Sequence, residues 1–151
     1  MQPEILILKD AGADADLPLP AYETAGAAGA DLRADLGGTE ITLAPLERRL
    51  IPTGLRMQIP PGFEVQVRAR SGAALRDGLS LVNGVGTIDA DYRGPVGVIV
   101  INLSDIPLVI RHGDRIAQIV VAPVVQAIFT PTHAVNETAR GSGGFGSTGR
   151  G

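Results

Sequence analysis

Apolar and polar residues alternate along much of this chain, most regularly over residues 63–70. Phe63, Val65, Val67 and Ala69 fall on one face, and Glu64, Gln66, Arg68 and Arg70 on the other. A period of two is that of a half-buried strand. The same pattern, in shorter pieces, predicts strands over residues 4–8, 30–33, 41–43, 49–53, 55–59, 79–82, 96–101, 106–110, 115–121 and 124–129. Gly54 divides two of them. Ser71-Gly72-Ala73-Ala74-Leu75 has room for one or two helical turns, which Gly78 stops. No amphipathic helix of ordinary length is present. Many short strands with closely spaced turn signals define an all-β sandwich or barrel with at most one short helix.

Composition narrows the picture. With 151 residues, the chain suits one domain with a real core, and with aromatics at 3% that core is aliphatic. A net charge of -3 and no basic run argue against a duplex-binding surface. A few arginines can still hold a small anion. There is no cysteine, hence no disulfide or thiolate chemistry. No apolar run is long enough to span a bilayer, the N-terminus lacks a signal pattern, and a cytoplasmic location is expected. From Ala139 onward the composition turns to Gly, Ser and Thr, so residues 1–138 are read as the folded domain and 139–151 as a mobile arm.

Three stretches carry chemistry. Gly84-Val85-Gly86-Thr87-Ile88-Asp89-Ala90-Asp91-Tyr92-Arg93-Gly94 lies between two strands and reads as a hairpin connection. Asp91 sits where the chain reverses and reads as a turn residue. Asp89 follows Ile88 directly, at the end of a packed strand that holds its carboxylate rigidly. Arg70-Ser71-Gly72 ends a strand with a guanidinium, a hydroxyl and an open backbone. It is either an anion site or a surface Arg before a Ser helix cap. The tail Arg140-Gly141-Ser142-Gly143-Gly144-Phe145-Gly146-Ser147-Thr148-Gly149 can wrap phosphate oxygens with N–H groups and hydroxyls. Phe145 has no core to join there; it is either exposed or a ring that lies on a base. Asp31 either pairs with an Arg or helps hold a hydrated Mg²⁺. Gln118, inside an apolar strand, needs a backbone or ligand partner. His112 and His133 have no second His or Cys at ligand spacing, which disfavours them as metal ligands.

On five segments in order, the chain resembles the homotrimeric deoxyuridine triphosphatases. They are Ala28-Gly29-Ala30-Asp31-Leu32; Arg70-Ser71-Gly72 with Gly78-Leu79; Gly86 to the Asp91-Tyr92-Arg93-Gly94 turn; Gly113-Asp114-Arg115-Ile116-Ala117-Gln118; and the tail. The resemblance implies a jelly-roll-like distorted β-barrel or sandwich, a threefold trimer with sites shared between subunits, and Mg²⁺-dependent hydrolysis of dUTP to dUMP and pyrophosphate. It implies that Asp89 deprotonates the water attacking the α-phosphorus and that Asp31 binds Mg²⁺ through water. Arg70, Ser71, Gly72 and Gln118 would hold the phosphates. Residues 83–97, including Asn83, Thr87, Ile88 and Gly97, would read the uracil edge, and Tyr92 would pack under the deoxyribose. Arg140, Gly146, Ser147 and Thr148 would close on the triphosphate, with Phe145 over the base. Ala69 stands where relatives often carry Pro or Gly. The rival of the same fold, a dCTP deaminase, needs a proton-shuttling carboxylate facing the base, and residues 96–102 contain none. A non-catalytic nucleotide-binding trimer is disfavoured by the intact Asp89 and the complete tail.

Overall fold

The computed structural model describes residues 2–145. In chain order the elements are β1 (Leu6–Lys9), β2 (Ala30–Arg33), β3 (Glu40–Leu43), β4 (Arg48–Gln58), β5 (Phe63–Arg68), α1 (Ser71–Asp77), β6 (Leu79–Leu81), β7 (Gly86–Ile88), β8 (Val96–Asn102), β9 (Leu108–Arg111) and β10 (Arg115–Pro123). Two four-stranded antiparallel sheets form, in the orders β1-β4-β8-β6 and β2-β10-β5-β7, with β3 and β9 as a separate ribbon. This is the expected all-β, jelly-roll-like architecture. The inward residues of both sheets, with Ile110 of the ribbon, make one aliphatic core: Leu32, Ile51, Val65, Val98, Val100, Ile110 and Ile116 are all buried. Sheets packed face to face require this alternation of inward apolar and outward polar positions.

The connection between β6 and β8 is not a simple turn. The two strands do pair as a hairpin, Leu79 opposite Asn102 and Leu81 opposite Val100. Between them the chain leaves that sheet, and β7 adds to β5 in the other one, with Val65 opposite Ile88 and Val67 opposite Gly86. The acid-bearing segment after β7 is therefore hung between the two sheets. The short helix is present, and Gly78 ends it in a left-handed conformation at φ 68°, its N–H bonded to the carbonyl of Ala73. A Cβ there would lie 2.7 Å from the Ser104 nitrogen, so both backbone and space call for glycine.

Three strand expectations change. The pieces on either side of Gly54 are one strand, β4, with an irregularity between Pro52 and Leu55 that absorbs the glycine. Residues 106 and 107 stay outside β9, because the carbonyl of Ile106 accepts from the Asn102 side chain instead. Residues 124–129 form no strand. Val124 still donates to the carbonyl of Gly62, but Val125, Ile128 and Phe129 are each 94% exposed. Upstream, β10 is already flanked by β2 and β5, and its ladder with β5 ends at Pro123, so the continuing segment meets no free partner within the described residues. Its apolar pattern is that of a strand without one.

Asn102 is the fully buried polar side chain of the core, and it is satisfied. Its amide donates to the carbonyls of Leu43 and Ile106, and its oxygen accepts from the N–H and hydroxyl of Ser104. It ties β8 to β3 and to the turn that leads towards β9. Asn102→Leu removes the side-chain donor of the buried Leu43 carbonyl and the acceptor of the Ser104 N–H, while the Ile106 carbonyl keeps the Ser104 hydroxyl. The expected loss is about 2–4 kcal/mol, read as a lower denaturation midpoint; an unchanged midpoint would show that the network contributes nothing.

Candidate active site

The anion-facing half of the site is built by register. In β2, Ala30 and Leu32 point into the core and Asp31 and Arg33 point out. In β10, Ile116 and Ala117 are both buried although adjacent, because the ladder shifts register between Arg115 and Ala117. That bulge places Arg115 and Gln118 on the same outward face, which strict alternation forbids. Gln118 lies opposite Asp31 on one side and Arg68 on the other.

Asp31 is the hub of this face. One carboxylate oxygen accepts from Arg70 Nε at 2.8 Å and the other from an Arg115 Nη at 3.1 Å. Arg70 also donates to the Arg115 carbonyl at 3.3 Å. Both guanidinium groups are thus oriented before any ligand arrives. Arg115 belongs to this cluster although no role was assigned to it from sequence; its signal was a charged residue opening an apolar strand straight after a Gly-Asp turn. Gln118 has a partner, its amide nitrogen donating to the carbonyl of Ala69 at 3.0 Å. That leaves its second N–H for a ligand. Its oxygen fills the space over Gly29, where an added Cβ would stand 2.3 Å away. Ser71 is exposed and opens α1, with Arg70 at the cap position and no side-chain cap bond. The hydroxyl is therefore not consumed by capping.

The second half lies elsewhere. Ile88 is buried and Asp89 follows it at the end of β7, exposed. Its carbonyl accepts from the Tyr92 N–H, closing a turn. The Asp89 carboxylate makes no hydrogen bond to another described residue, so the rigidity expected of it comes from the backbone. Arg93 reinforces that turn, donating to the carbonyls of Ala90 and Tyr92 at 2.7 and 2.8 Å. Arg56 bridges Asp10 and the carbonyl of Arg93. The Tyr92 hydroxyl donates to the Pro95 carbonyl at 3.1 Å, fixing the ring beside Gly94. The Asn83 amide packs over Gly86, and Gly97 is left bare because Leu50 would meet a Cβ there at 2.6 Å. Thr87 is exposed between buried Gly86 and Ile88.

One chain does not join the halves. Extending the β5–β7 register sets Asp89 beside Glu64, at the start of β5, whereas Arg70 follows its far end. At about 3.3 Å per strand residue they stand roughly 20 Å apart. They line different cavities: Asp89 one of about 710 Å³ with Phe63, Glu64, Asp91 and Val124, and Arg70 one of about 230 Å³ with Arg76, Leu79, Asp114 and Arg115. Arg140 donates to the carbonyl of Gly143 within an exposed turn, and Phe145 is fully exposed at φ 50°. Gly146, Ser147 and Thr148 lie outside the described residues.

Mg²⁺ fits one position on limited terms. Among the described residues no group of three or more His, Cys, Asp or Glu surrounds a cation position. A protein cage is therefore not on offer, but Mg²⁺ is commonly held by one carboxylate, water and substrate phosphates. Each Asp31 oxygen, having accepted one hydrogen bond, retains a lone pair for a metal-bound water. His112 is occupied structurally: Nε2 lies 2.8 Å from Asp14, and Nδ1 accepts from the Leu36 N–H. Asp14 is held below the usual carboxylate range, first by the Asp16 N–H and then by His112. Lys9 donates to the carbonyls of Asp14, Ala15 and Leu17, closing the same loop.

Fold and site together define the class: an all-β nucleotide phosphohydrolase, with a guanidinium-rich strand face and a separate acid-bearing turn. A family model described as dUTPase matches residues 15–149. The deoxyuridine 5'-triphosphate nucleotidohydrolase of Roseobacter denitrificans is 65% identical over 138 residues, 91% of each chain. The chain belongs to the dUTPase family. Among solved structures, the Staphylococcus bacteriophage 80alpha dUTPase with dUPNHPP superposes with a TM-score of 0.84 over 97% of this chain and 99% of that one, at 23% identity. A mutant dUTPase from phage phi11 of S. aureus, described with a structural Mg(II) ion, gives 0.70 over 87% and 97%, at 22% identity. These two likenesses show the shared fold.

Gly29→Ala tests how firmly Gln118 is held. The new methyl group meets the oxygen at the far end of the Gln118 side chain, which must give up its bond to the Ala69 carbonyl to move aside, at about 0.5–1.5 kcal/mol. A denaturation midpoint equal to the parent's would mean that Gln118 swings away freely and is not preorganised.

Proposed function

We infer that this chain hydrolyses dUTP to dUMP and pyrophosphate, supplying dUMP and keeping uracil out of DNA. The observation that carries the reading is the split of the site within a chain of this family. Guanidinium groups are preset on Asp31 at one end of β5, and a carboxylate with no partner among the described residues stands on a braced turn at the other. The site would be completed between subunits of a homotrimer, one giving Asp31, Arg70, Ser71, Gly72 and Gln118, and another giving residues 83–97 with Asp89 and Tyr92. The exposed apolar residues Val125, Ile128 and Phe129 support such an assembly, since an apolar segment without partners among the described residues gains by docking on a neighbour. Residues 139–151 form the arm that closes over a neighbour's site in this reading, Arg140 and residues 146–148 on the phosphates and Phe145 on the base.

Hydrolysis of a phosphoanhydride asks mainly for alignment and charge neutralisation. Arg70 neutralises phosphate oxygens from a fixed position, and Ser71, Gly72 and Gln118 donate to them. Asp89 accepts a proton from water as its oxygen bonds to the α-phosphorus, and the bond from that phosphorus to the bridging oxygen breaks to release pyrophosphate. Mg²⁺, when bound through water beside Asp31, supplies further neutralisation of the phosphate oxygens. Tyr92, fixed by its bond to Pro95, leaves no room for a 2′-hydroxyl, and residues 83–97 read the uracil edge. Incubating the protein with Mg²⁺ and either dUTP or dCTP, then assaying pyrophosphate and ammonia, tests the assignment. Pyrophosphate from dUTP alone is expected; ammonia from dCTP would overturn it.

Asp89→Asn keeps the shape of the carboxylate but cannot take a proton. Turnover should fall by about 10²–10⁴-fold with binding of a non-hydrolysable dUTP analogue retained. A variant as fast as the parent would remove Asp89 from the mechanism.

Subunit sharing gives a complementation test. Asp89→Asn chains and chains truncated before Arg140 should each form nearly inactive homotrimers. In a closed ring of mixed subunits, contacts repeat in one direction, so each hybrid contains a site with an intact Asp89 and an intact arm. Hybrids isolated on two affinity tags should recover dUTP hydrolysis that neither parent shows. If verified hybrids remain inactive, both elements of a site come from the same chain.

A further inference from the structure

The geometry points to Arg76 as a further phosphate ligand, holding the terminal, leaving end of the triphosphate; this rests on the dUTPase reading above. Arg76 is four residues after Gly72 in α1, and residues at that spacing share a helix face. Its guanidinium folds back along the face. A Cβ built on Gly72 would lie 3.1 Å from one Arg76 Nη and 3.7 Å from both Cζ and the other Nη. The planar cation therefore lies against the bare backbone of the Ser71-Gly72 segment, in the space that a side chain at 72 would take. Arg70, Arg76 and Arg115 line one cavity of about 230 Å³, together with Asp77 and Asp114.

The three guanidinium groups are not equally occupied. Arg70 and Arg115 share the Asp31 carboxylate at 2.8 and 3.1 Å. The Asp114 carboxylate accepts from the Arg111 N–H within its own turn. Among the described residues Arg76 has only Asp77, at 4.0 Å and with its own side chain 71% exposed, a contact at the limit of an ion pair. It is the cation of this cavity with most capacity left for an incoming anion, and a guanidinium binds phosphate oxygens in pairs. The terminal phosphate of a nucleoside triphosphate carries the greatest charge and leaves in pyrophosphate. An extra cation that shares a cavity with Arg70 is best matched to that end.

The test uses the purified full-length protein and compares two ligands by titration calorimetry: α,β-imido-dUTP, and dUMP, which lacks the outer phosphates. Arg76→Gln should weaken the imido analogue by about 10- to 100-fold, the usual loss for one charge-assisted partner. It should leave dUMP affinity within twofold. Arg76→Lys should recover part of the loss, since the charge remains without the paired donors. The side chain is exposed, so the thermal midpoint should stay at the parent value. Unchanged analogue affinity, or an equal loss for dUMP and the analogue, would overturn the assignment. A parent protein that does not hydrolyse dUTP would overturn the functional reading beneath it; an active parent with a neutral Arg76→Gln overturns the Arg76 role alone.

Discussion

The register of β5 is the constraint on which the rest depends. This strand is paired on both sides, by β10 through six residues and by β7 through three. Neither pairing can slip by one residue without turning Val65 and Val67 out of the core. Because the register is locked, so are the two ends. Asp89 is carried to the Glu64 end and Arg70 is delivered beyond Arg68. In the proposed mechanism, chemistry that needs a base and a bound phosphate within a few ångströms is thereby referred to contacts between chains. The sheet is what keeps the halves apart, and their separation follows from the same hydrophobic alternation that makes the fold.

Within the anion-binding half, local irregularities do the positioning. The bulge in β10 sets Arg115 and Gln118 on one face, and Gly29 leaves the gap that the Gln118 side chain fills. Asp31 then orients two guanidinium groups at once. An arginine side chain free in solution loses up to about 2 kcal/mol of rotamer entropy when fixed. Fixing it on Asp31 during folding moves that cost ahead of ligand binding. The acid-bearing half is organised differently: its carboxylate has no partner among the described residues, and rigidity is assigned to the backbone by Arg93 and Arg56. Among the described residues one half is therefore charge-paired and the other is not, which suits the proposed division between binding an anion and accepting a proton.

Much of this was legible in the sequence, because inward aliphatic positions at period two specify which face of each strand is buried. The places of most strands along the chain, the Gly78 stop and the position of Asp89 after a packed strand follow from pattern alone. Three things did not. The passage of β7 to the opposite sheet is a long-range pairing that no local spacing encodes. The bulge in β10 breaks the alternation by one residue, so Arg115 reads as an ordinary strand opener until its neighbour Ala117 is seen buried. Residues 124–129 carry a strand's apolar pattern without a strand's partner, and periodicity reports suitability for pairing, not the presence of an edge to pair with. Gly72 belongs to the same class, since its bareness is explained by a side chain four residues away.

The exposed segment after Pro123 connects stability with chemistry. A lone chain presents Val125, Ile128 and Phe129 to water. Covering one such side chain contributes about 1.5–3 kcal/mol, a large part of the margin of a small domain. The segment is joined to residues 139–145 by the short stretch 130–138, so whatever surface receives 125–129 limits where Arg140 and Phe145 can reach. If that surface belongs to another subunit, the contact that stabilises the assembly is the one that aims the arm. Apparent stability then depends on protein concentration, and the site is complete only where the oligomer is. Dilution should remove both together, because one stretch of chain serves both.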